Sequence, residues 1–491
     1  MMATNEGESS DDSHNNVLRE SPRVVIIGAG LTGIATADIL QRAGLTDYVV
    51  LEATDRVGGR IWSIDVGDPA NGVKAELGAN WIHGIDKNPI FTIARKNNLL
   101  PPQNIHRKLG QKAMFLTERG TPVNTKIVQE IDWTYGMLMQ QCEDFYQMGL
   151  PIEEENDSVG AYIKRHFEEK FSKYHGQDRK TREMVLENRL LGEAVIAGAH
   201  SMNDISLSQF GSFEEIAGVH YIIMPGFEAV IDVLRQSVPN EKILLEHSVT
   251  QICWDSSFNH DNRVYNISVE CQNGAKFYAD HVVVTVPLGY LKKHSGRLFH
   301  PPLPEFKQHA IDRVAFGVVN KVILEFEGRV LPKNICRLEM VWDRSQVEYE
   351  DLFDSWVKKI GSFEAICENV LVGWLCGREA EFMEMLSDEE IGKKCTDVLK
   401  SFLKTEIPPL KRIIRTKWKS NQYTLGSYCY IPNGSSNEDI EGLAEPLEGK
   451  LEKPQIMFAG EATHPTYYSS SHGALLSARR EAQRILDYNS H

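Results

Sequence analysis

Residues 23–33 read Arg-Val-Val-Ile-Ile-Gly-Ala-Gly-Leu-Thr-Gly, a β-branched run followed by three glycines with the spacing GxGxxG. An unbroken run of this kind is typical of a strand buried on both faces of a sheet. The next stretch, Ile34 to Arg42, has helical spacing, and a second apolar run, Tyr48 to Leu51, ends on Glu52. This order predicts one βαβ unit of a dinucleotide-binding fold.

The three glycines and the acid have separate tasks in such a unit. Gly28 permits the tight turn, Gly30 lets the main chain approach a pyrophosphate, and Gly33 lets the helix pack close to the strand. The helix N-terminus offers free N–H groups and positive potential to the phosphates. Glu52, nineteen residues after Gly33, would accept hydrogen bonds from ribose hydroxyls. We therefore expect a dinucleotide site, with a ligand-free glycine-rich turn as the alternative.

Two further stretches favour a large cofactor that is held permanently. Residues 56–60, Arg-Val-Gly-Gly-Arg, place two more glycines and two arginines near the same phosphates. Residues 76–84, Glu-Leu-Gly-Ala-Asn-Trp-Ile-His-Gly, put small residues beside an aromatic one. That composition suits a main chain that passes closely over a flat ring.

These stretches resemble the FAD-binding amine oxidase family. The agreement continues in residues 282–289, 317–321, 426–428, 458–464 and 471–474, which read VVVTVPLG, GVVNK, GSY, FAGEATH and SHGA. The resemblance runs from about residue 22 to residue 488, nearly the whole chain. Within the family, the chain is most similar to animal-type polyamine oxidases, of the spermine or N1-acetylpolyamine kind.

The resemblance implies an α/β plus α+β fold, in which a discontinuous Rossmann-like FAD-binding domain contains an inserted substrate-binding domain. The opening βαβ unit and the last strand and helix stand at opposite ends of the chain, which also requires a discontinuous domain. The expected FAD-binding domain comprises residues 22–100, 226–300 and 440–491, and the substrate-binding domain comprises residues 101–225 and 301–439. Residues 1–21 are polar and acidic, which predicts a disordered tail.

Hydrophobic spacing gives the remaining elements. Helices are expected at residues 126–146, 155–195 and 387–403 and from about His472 to Tyr488, with another inside 218–240. A strand pair is expected at 318–326 and a last strand at 456–458. Between them, strands are expected at 243–245, 249–254, 264–271, 277–278 and 281–285.

Non-covalent FAD is expected, although Cys429 suggests the covalent attachment that monoamine oxidases of this family have. The family position that attaches the flavin covalently in monoamine oxidases falls on Tyr428, one residue before Cys429, and a one-residue shift in a strand turns the side chain to the other face. The closing helix would aim its N-terminus at the flavin pyrimidine carbonyl. The residues expected to contact FAD are Gly28, Gly30, Gly33, Glu52, Arg60, Gly78, Ala79, Asn80, Trp81, Val249, Trp418, Glu461, Ser471 and Gly473.

Lys321 and His83 are the expected catalytic residues. Lys321 lies among apolar neighbours, where an unpartnered lysine is costly to bury, and the family places a water-holding lysine there, against flavin N5. A neutral His83 could hydrogen-bond a substrate amine without adding a second full charge. A lysine that reaches solvent and an ordinary loop histidine are the alternatives. The expected substrate pocket consists of Trp81, Tyr423, Ser469 and Ser470; relatives commonly carry proline where this chain has Gln422, just before Tyr423.

Composition limits the possible partners and location. The chain has 491 residues and a formal charge of −15, which argues against nucleic acid and suits a small cation, although charge alone is more simply explained by solubility. No apolar run reaches the length of about 18 residues that a membrane span needs. We therefore expect no membrane contact. The eight cysteines lack metal-type or disulfide-type spacing, so we expect no metal site and a reducing, cytoplasmic location. They stand at positions 142, 253, 271, 336, 367, 376, 395 and 429.

The expected reaction oxidises the carbon next to a secondary amine of a polyamine, giving an aldehyde, a shorter polyamine and hydrogen peroxide, with dioxygen as the oxidant. Residues 196–200 lack the acid of spermine-type relatives, which favours acetylated substrates, whereas residues 204–211 favour the spermine type. Both substrates stay open. The alternatives are an oxidase of another amine, such as a histone-demethylating or L-amino-acid oxidase, and a catalytically silent FAD-binding scaffold.

Overall fold

The computed structural model describes residues 23–101, 112–152, 157–345 and 350–490. The predicted tail, residues 1–21, lies outside these ranges. In chain order the helices are α1 Leu31–Arg42, α2 Pro89–Lys96, α3 Thr125–Gln147, α4 Val159–Phe171, α5 Gly176–Ala197, α6 Glu228–Arg235, α7 Leu288–Leu298, α8 Glu305–Arg313, α9 Leu352–Ser355, α10 Arg378–Met383, α11 Asp388–Leu403, α12 Asn437–Ala444 and α13 Ser471–Asn489. The strands are β1 Val24–Ile27, β2 Tyr48–Leu51, β3 Ser63–Asp65, β4 Lys74–Glu76, β5 Lys112–Thr117, β6 Ile243–Leu244, β7 Val249–Cys253, β8 Phe258–His260, β9 Arg263–Tyr265, β10 Ile267–Cys271, β11 Lys276–Ala279, β12 His281–Val284, β13 Phe299–His300, β14 Ala315–Gly317, β15 Val319–Phe326, β16 Ile335–Val341, β17 Ser362–Cys367, β18 Val370–Cys376, β19 Leu410–Arg415, β20 Tyr428–Tyr430 and β21 Ile456–Phe458.

Strand β1 lies at the centre of a five-stranded parallel sheet whose order is β21-β12-β1-β2-β6. All four residues of β1 are buried, because parallel sheets are covered on both faces by the helices that connect their strands. Val24 stands opposite both Tyr48 and His281 in the register. The sheet therefore combines strands from both ends of the described chain.

Helices α1 and α13 pack together beside this sheet, in one apolar core with β1 and β2. The Thr32 hydroxyl of α1 donates to the Ala474 carbonyl of α13 at 3.3 Å. A Cβ atom on Gly33 would lie 1.9 Å from the carbonyl oxygen of Gly28. Only glycine therefore allows α1 to approach the end of β1 so closely.

A second, six-stranded sheet has the order β19-β15-β18-β17-β16-β5. Its strands pair antiparallel except for β16 and β5, which pair parallel. Alternate residues of a strand point to opposite faces, so Val322, Leu338 and Phe363 pack in an apolar core on one face. Helix α5 packs against the other face. A smaller four-stranded sheet has the order β11-β10-β7-β13.

Most expected elements agree with the observed ones, including β1, β2, β21 and α13, to within a few residues. Two differ. The expected helix over 155–195 is two helices, because the chain leaves helical geometry at His175, with φ −136° and ψ 162°. The expected strand pair at 318–326 is the single strand β15, whose partners β18 and β19 come much later in the chain.

The strands of the two large sheets come from different ranges of the chain. Every strand of the parallel sheet falls in the ranges expected for the FAD-binding domain, and every strand of the six-stranded sheet falls in those expected for the substrate-binding domain. The domain boundaries themselves stay a prediction.

Candidate active site

A cavity of about 1510 Å³ separates the two large sheets. On one side it is lined by residues that follow β1, β2, β12 and β21, the carboxyl ends of four parallel strands. On the other side it meets the six-stranded sheet and helices α3 and α5. Ligands of open parallel sheets bind outside the carboxyl ends of the strands. The volume exceeds the roughly 300–1,000 Å³ of a pocket for one small ligand, so a cofactor and a substrate both have room.

The first side, which we name the main-chain wall, consists of residues 28–32, 51–62 and 77–81 where they face the cavity. Gly28 has φ of 104°, and a Cβ on it would lie 2.6 Å from the Thr285 hydroxyl oxygen. Gly30 forms a bridge with Gly58, and the nearest atom to a Cβ on Gly30 is 3.9 Å away. Gly30 therefore leaves open space at the start of α1, where a phosphate group would sit.

Glu52 is buried at the end of β2 and lines the cavity. Its Oε2 atom accepts a hydrogen bond from the Ala29 N–H at 2.7 Å, and its Oε1 atom accepts two from Thr54, at 2.9 Å and 2.8 Å. A carboxylate oxygen has two acceptor positions. Oε2 therefore keeps one for a further donor such as a ribose hydroxyl, which fits a dinucleotide.

The two arginines of residues 56–60 hold the wall together. Arg56 donates to the carbonyls of Val57, Gly59 and Ile61, at distances from 2.5 Å to 3.1 Å. Arg60 donates to the Ser427 carbonyl at 2.7 Å and to Glu461 at 2.8 Å. Both arginines and Glu461 line the cavity, so the ion pair of Arg60 and Glu461 joins distant chain segments at its edge.

The segment after β4 crosses the cavity next to Lys321. A Cβ on Gly78 would lie 1.6 Å from the Arg60 carbonyl oxygen, so this position requires glycine. The Lys321 ammonium donates to the carbonyls of Glu76, at 2.5 Å, and Gly78, at 2.7 Å. Gly78, Ala79, Asn80, Trp81 and His83 all line the cavity.

Lys321 is 3% exposed, and its Nζ atom lies 4.1 Å from the centre of the Trp374 ring. Burial lowers the pKa of Lys321 to about 7, although Glu76 and Glu364 oppose the shift. The amine therefore exists in both protonation states near neutral pH, which an exposed lysine does not.

His83 opens onto the cavity, and its ring centre lies 5.1 Å from that of His220. His83 is an exposed residue at the open cavity, but the protein around its ring still reduces its hydration and, with a smaller effect of His220, lowers the pKa of His83 to about 4. His472, which also lines the cavity, has its pKa lowered to about 3 by burial and by His83 and His464. At neutral pH these imidazoles are uncharged.

The remaining expected residues divide into those at the cavity and those behind it. Val249, Trp418, Tyr423, Ser469, Ser470 and Ser471 line the cavity. Two expected FAD contacts, Gly33 and Gly473, do not. Gly33 is packed against the carbonyl oxygen of Gly28, as described above. Gly473 lies against the Tyr467 carbonyl oxygen, 1.9 Å from where its Cβ would be, and its N–H already donates to the Ser470 hydroxyl at 3.0 Å.

Ser470 is the N-cap residue of α13, which limits its freedom. Its hydroxyl accepts from Gly473 and donates to the Tyr467 carbonyl at 2.6 Å. The Ser469 hydroxyl donates to the Cys429 carbonyl. Cys429 itself is fully buried, whereas Tyr428 reaches the cavity and donates its hydroxyl to the Val195 carbonyl at 2.5 Å.

The opposite side, which we name the side-chain wall, contains several functional candidates that sequence reasoning missed. They are Tyr135, Glu143, Glu193, Glu215, Trp374, Arg337, Glu339 and Glu364. Burial raises the pKa of Glu193 to about 7, with Glu215 and Glu143 adding to the shift and a hydrogen bond from Tyr135 opposing it. The spacing of Tyr135, Met139 and Glu143 is one helix face, a signal that was present in the sequence.

Gly28 and Gly30 at the start of α1, which we name the glycine cradle, together with Glu52 after β2 and the buried Lys321 opposite them, form the site of a dinucleotide-dependent oxidoreductase. Residues 31–486 match the family described as flavin containing amine oxidoreductase, and the chain belongs to this family. The peroxisomal N(1)-acetyl-spermine/spermidine oxidase of Bos taurus is 35% identical, over 95% of this chain and 94% of its own length. Its Homo sapiens counterpart is 35% identical over 95% of both chains. Probable polyamine oxidase 5 of Arabidopsis thaliana is 30% identical over 96% of this chain and 99% of its own.

Family membership confirms the predictions of fold class, FAD cofactor and oxidoreductase activity. Among the described residues, no group of three histidine, cysteine or acidic side chains is arranged to hold a metal ion. In the same part of the chain, no helix combines the length and the apolar character that crossing a membrane requires.

Proposed function

We propose that this chain is a polyamine oxidase, which oxidises the carbon next to a secondary amine of spermine or of an N1-acetylated polyamine. The names of the similar proteins support polyamines as the substrate class. The observation that carries the proposal is one continuous cavity, which extends from the glycine cradle past Lys321 to the acids Glu193, Glu143 and Glu215. Such a cavity suits an elongated cation that reacts at an internal nitrogen.

The main-chain wall would hold FAD. Gly28 and Gly30 would admit the pyrophosphate, Glu52 the adenosine ribose, and the main chain of Val249 the adenine. Arg60, Gly78, Ala79, Asn80, Trp81, Trp418, Glu461 and Ser471 would contact the rest of the cofactor. Gly33 and Gly473 act through packing instead, the first beneath the cradle and the second at the capped start of α13.

FAD would be held without a covalent bond. Cys429 is fully buried behind the cavity surface, and the side chain at the cavity is that of Tyr428. A tyrosine hydroxyl that already donates to the Val195 carbonyl offers no thiol for attachment. Acid should therefore release the flavin from the denatured protein.

The side-chain wall would bind the cationic substrate. Glu193, Glu143 and Glu215 provide negative charge that complements ammonium groups, and Tyr423 provides an aromatic face that attracts them. Trp81, Ser469 and Ser470 would complete the pocket. The −15 formal charge of the chain would further raise the local concentration of a polycation.

Lys321 and His83 would serve the reaction itself. When bound, the flavin supplies the acceptor for two electrons from the C–H bond next to the substrate nitrogen. The neutral imidazole of His83 can accept a hydrogen bond from the reacting amine without repelling it. Lys321, with its pKa near 7, would hold a water molecule and exchange a proton with it.

The overall balance requires dioxygen and water. The amine loses two electrons and two protons, which reduce dioxygen to hydrogen peroxide, and water then splits the resulting imine into an aldehyde and a shorter polyamine.

We also propose a cytoplasmic location, supported by eight free cysteines, which are typical of reducing compartments. Cell fractionation tests the location, and recovery with peroxisomes would contradict it.

The test of the function is anaerobic titration of the purified holoenzyme with spermine and, separately, with N1-acetylspermine. Bleaching of the flavin absorbance by either amine is the expected result, and the amine that bleaches it faster at equal concentration is the preferred substrate. A flavin that neither amine reduces would leave another amine or a catalytically silent scaffold as the function.

A further inference from the structure

The cavity face of the six-stranded sheet carries a row of side chains that includes Lys321. Lys321 on β15 stands opposite Trp374 on β18, and Val372, two residues before Trp374, stands opposite Glu364 on β17. Alternate residues of a strand share a face, so Lys321, Trp374 and Glu364 lie on the same face. All three line the cavity.

The carboxylate of Glu364 forms no hydrogen bond or ion pair with any residue of the described ranges. Its neighbours on the sheet are otherwise engaged: Arg337, directly opposite in the register, pairs with Glu339 at 2.9 Å. Glu339 also faces Arg189 at 3.9 Å. Glu364 is therefore the acid of this row whose charge the protein leaves without a close partner.

The surroundings of Glu364 are mixed in charge. Burial raises the pKa of Glu364, with a smaller contribution from Glu339, while Arg337 and Lys321 act in the opposite direction. Glu364 is half-buried, so its carboxylate is partly removed from water, which costs free energy when no ion pair compensates for it. A cation that enters the cavity and contacts it would recover this cost, and the gain would appear as binding affinity.

We infer that Glu364 binds a protonated amine of the substrate, at a nitrogen other than the one that is oxidised. This inference rests on the proposed polyamine oxidase function. Two strand spacings and two residues separate Glu364 from Lys321, on the order of 12 Å between Cα atoms. A polyamine carries several ammonium groups along one extended chain, so it can contact both places at once.

The alternative is that Glu364 acts only on Lys321, by favouring its charged form. The two roles predict different kinetics. A substrate-binding role changes the dissociation constant and leaves the limiting rate of flavin reduction nearly intact. A role through Lys321 changes the limiting rate and its pH profile for every substrate alike.

The experiment is anaerobic stopped-flow reduction of the holoenzyme by spermine and by N1-acetylspermine, in wild type, Glu364→Gln and Glu364→Asp. Glu368→Gln is the matched control, because Glu368 belongs to the same β17–β18 hairpin, makes an exposed ion pair with Arg329 and lies outside the cavity. We expect Glu364→Gln to raise the dissociation constant of spermine roughly tenfold to a hundredfold, as for a lost charge-assisted contact. Glu364→Asp should recover part of this loss, and melting temperatures should match the control.

The possible results distinguish the inference from its alternative and from failure of the proposed function. A loss for spermine alone would support the inference and assign Glu364 to the amine that acetylation neutralises. An equal loss for both substrates would support it and assign Glu364 to the other end. Dissociation constants equal to those of Glu368→Gln, or a change confined to the limiting rate, would overturn it. If wild type is reduced by neither amine, it is the proposed function that fails.

Discussion

The two walls of the cavity differ in what they present to a ligand: one presents mainly backbone and the other presents side chains. On the main-chain wall, Gly28, Gly30 and Gly78 bring the backbone itself to the surface, and Arg56 and Arg60 donate mostly to backbone carbonyls. On the side-chain wall, Lys321, Glu193 and Glu364 project into the cavity from a sheet and a helix. The first wall depends on the absence of side chains, and the second depends on their identity. Damage to the first should therefore abolish the holoenzyme, whereas damage to the second should alter rate and selectivity.

The strongest test of this contrast is Gly33→Ala. A Cβ at this position would overlap the Gly28 carbonyl oxygen, and overpacking of this severity should destabilise the protein by about 3 kcal/mol or more. The purified variant should contain little flavin. Gly296→Ala is the control, because Gly296 is also in a helix but a Cβ there meets nothing within 4 Å; it should gain up to about 1 kcal/mol. Normal flavin content in Gly33→Ala would contradict the expectation that damage to the main-chain wall abolishes cofactor binding.

The next test compares two buried lysines. Burial lowers the pKa of both Lys321 and Lys307 to about 7, but Lys307 donates to the carbonyls of Gly442 and Leu443 at the end of α12, away from the cavity. We expect Lys321→Met to slow flavin turnover roughly a hundredfold or more with flavin content retained.

Lys307→Met should give the opposite result. It leaves buried carbonyls without a donor, so the melting temperature should fall while the turnover per bound flavin stays at the wild-type value. Steady-state oxygen consumption and thermal unfolding of both variants provide the measurements. Equal turnover in the two variants would show that Lys321 is structural only.

A smaller effect is expected at Glu193. Glu193→Gln removes the charge but preserves the shape, and it should raise the KM for spermine roughly tenfold with little change in kcat. Because the pKa of Glu193 is raised to about 7 and an ammonium ion favours the ionised acid, the wild-type KM should fall as pH rises from 6 to 8. Glu187→Gln is the control, on the same helix but in an ion pair with Lys164 and outside the cavity. A KM for Glu193→Gln that still falls with pH as in wild type would contradict this role.

The smallest effect concerns stability at low pH. Burial, assisted by Arg480, lowers the pKa of His464 to about 4, so between about pH 6.5 and pH 4 the unfolded chain binds a proton that the folded one does not. Stability should therefore fall as pH decreases through this range. His464 Nδ1 accepts from the N–H groups of Thr466 and Tyr467, which an asparagine oxygen can also do. His464→Asn should lose less stability than wild type between pH 6.5 and pH 4, as measured by urea unfolding at both pH values.

The contrast between the walls also explains what could be predicted from sequence. The main-chain wall is local: Gly28, Gly30 and Glu52 belong to one βαβ unit, so their spacing carries the information. Lys321 and His83 were found only because the motifs around them resemble a family. Glu364 could not be found, because its place beside the cavity follows from the pairing of β17 with β18 and β16, which no local pattern specifies.

Gly33 and Gly473 show the limit of motif reasoning in the other direction. Both occur in motifs that surround a cofactor, yet both are packed against carbonyl oxygens behind the cavity. A motif includes the residues that shape a loop as well as those that touch the ligand. Sequence spacing alone does not separate the two groups.

The position of β21 at the edge of the parallel sheet has a consequence for biosynthesis. Its partner β12 is translated more than 170 residues earlier, and β1 more than 430 residues earlier. Until β21 has been synthesised, the edge of β12 that faces away from β1 has no partner strand. Exposed strand edges of this kind promote aggregation. The cofactor site cannot close until the last tenth of the chain has emerged. A newly made chain is therefore most in need of a chaperone just before its synthesis ends.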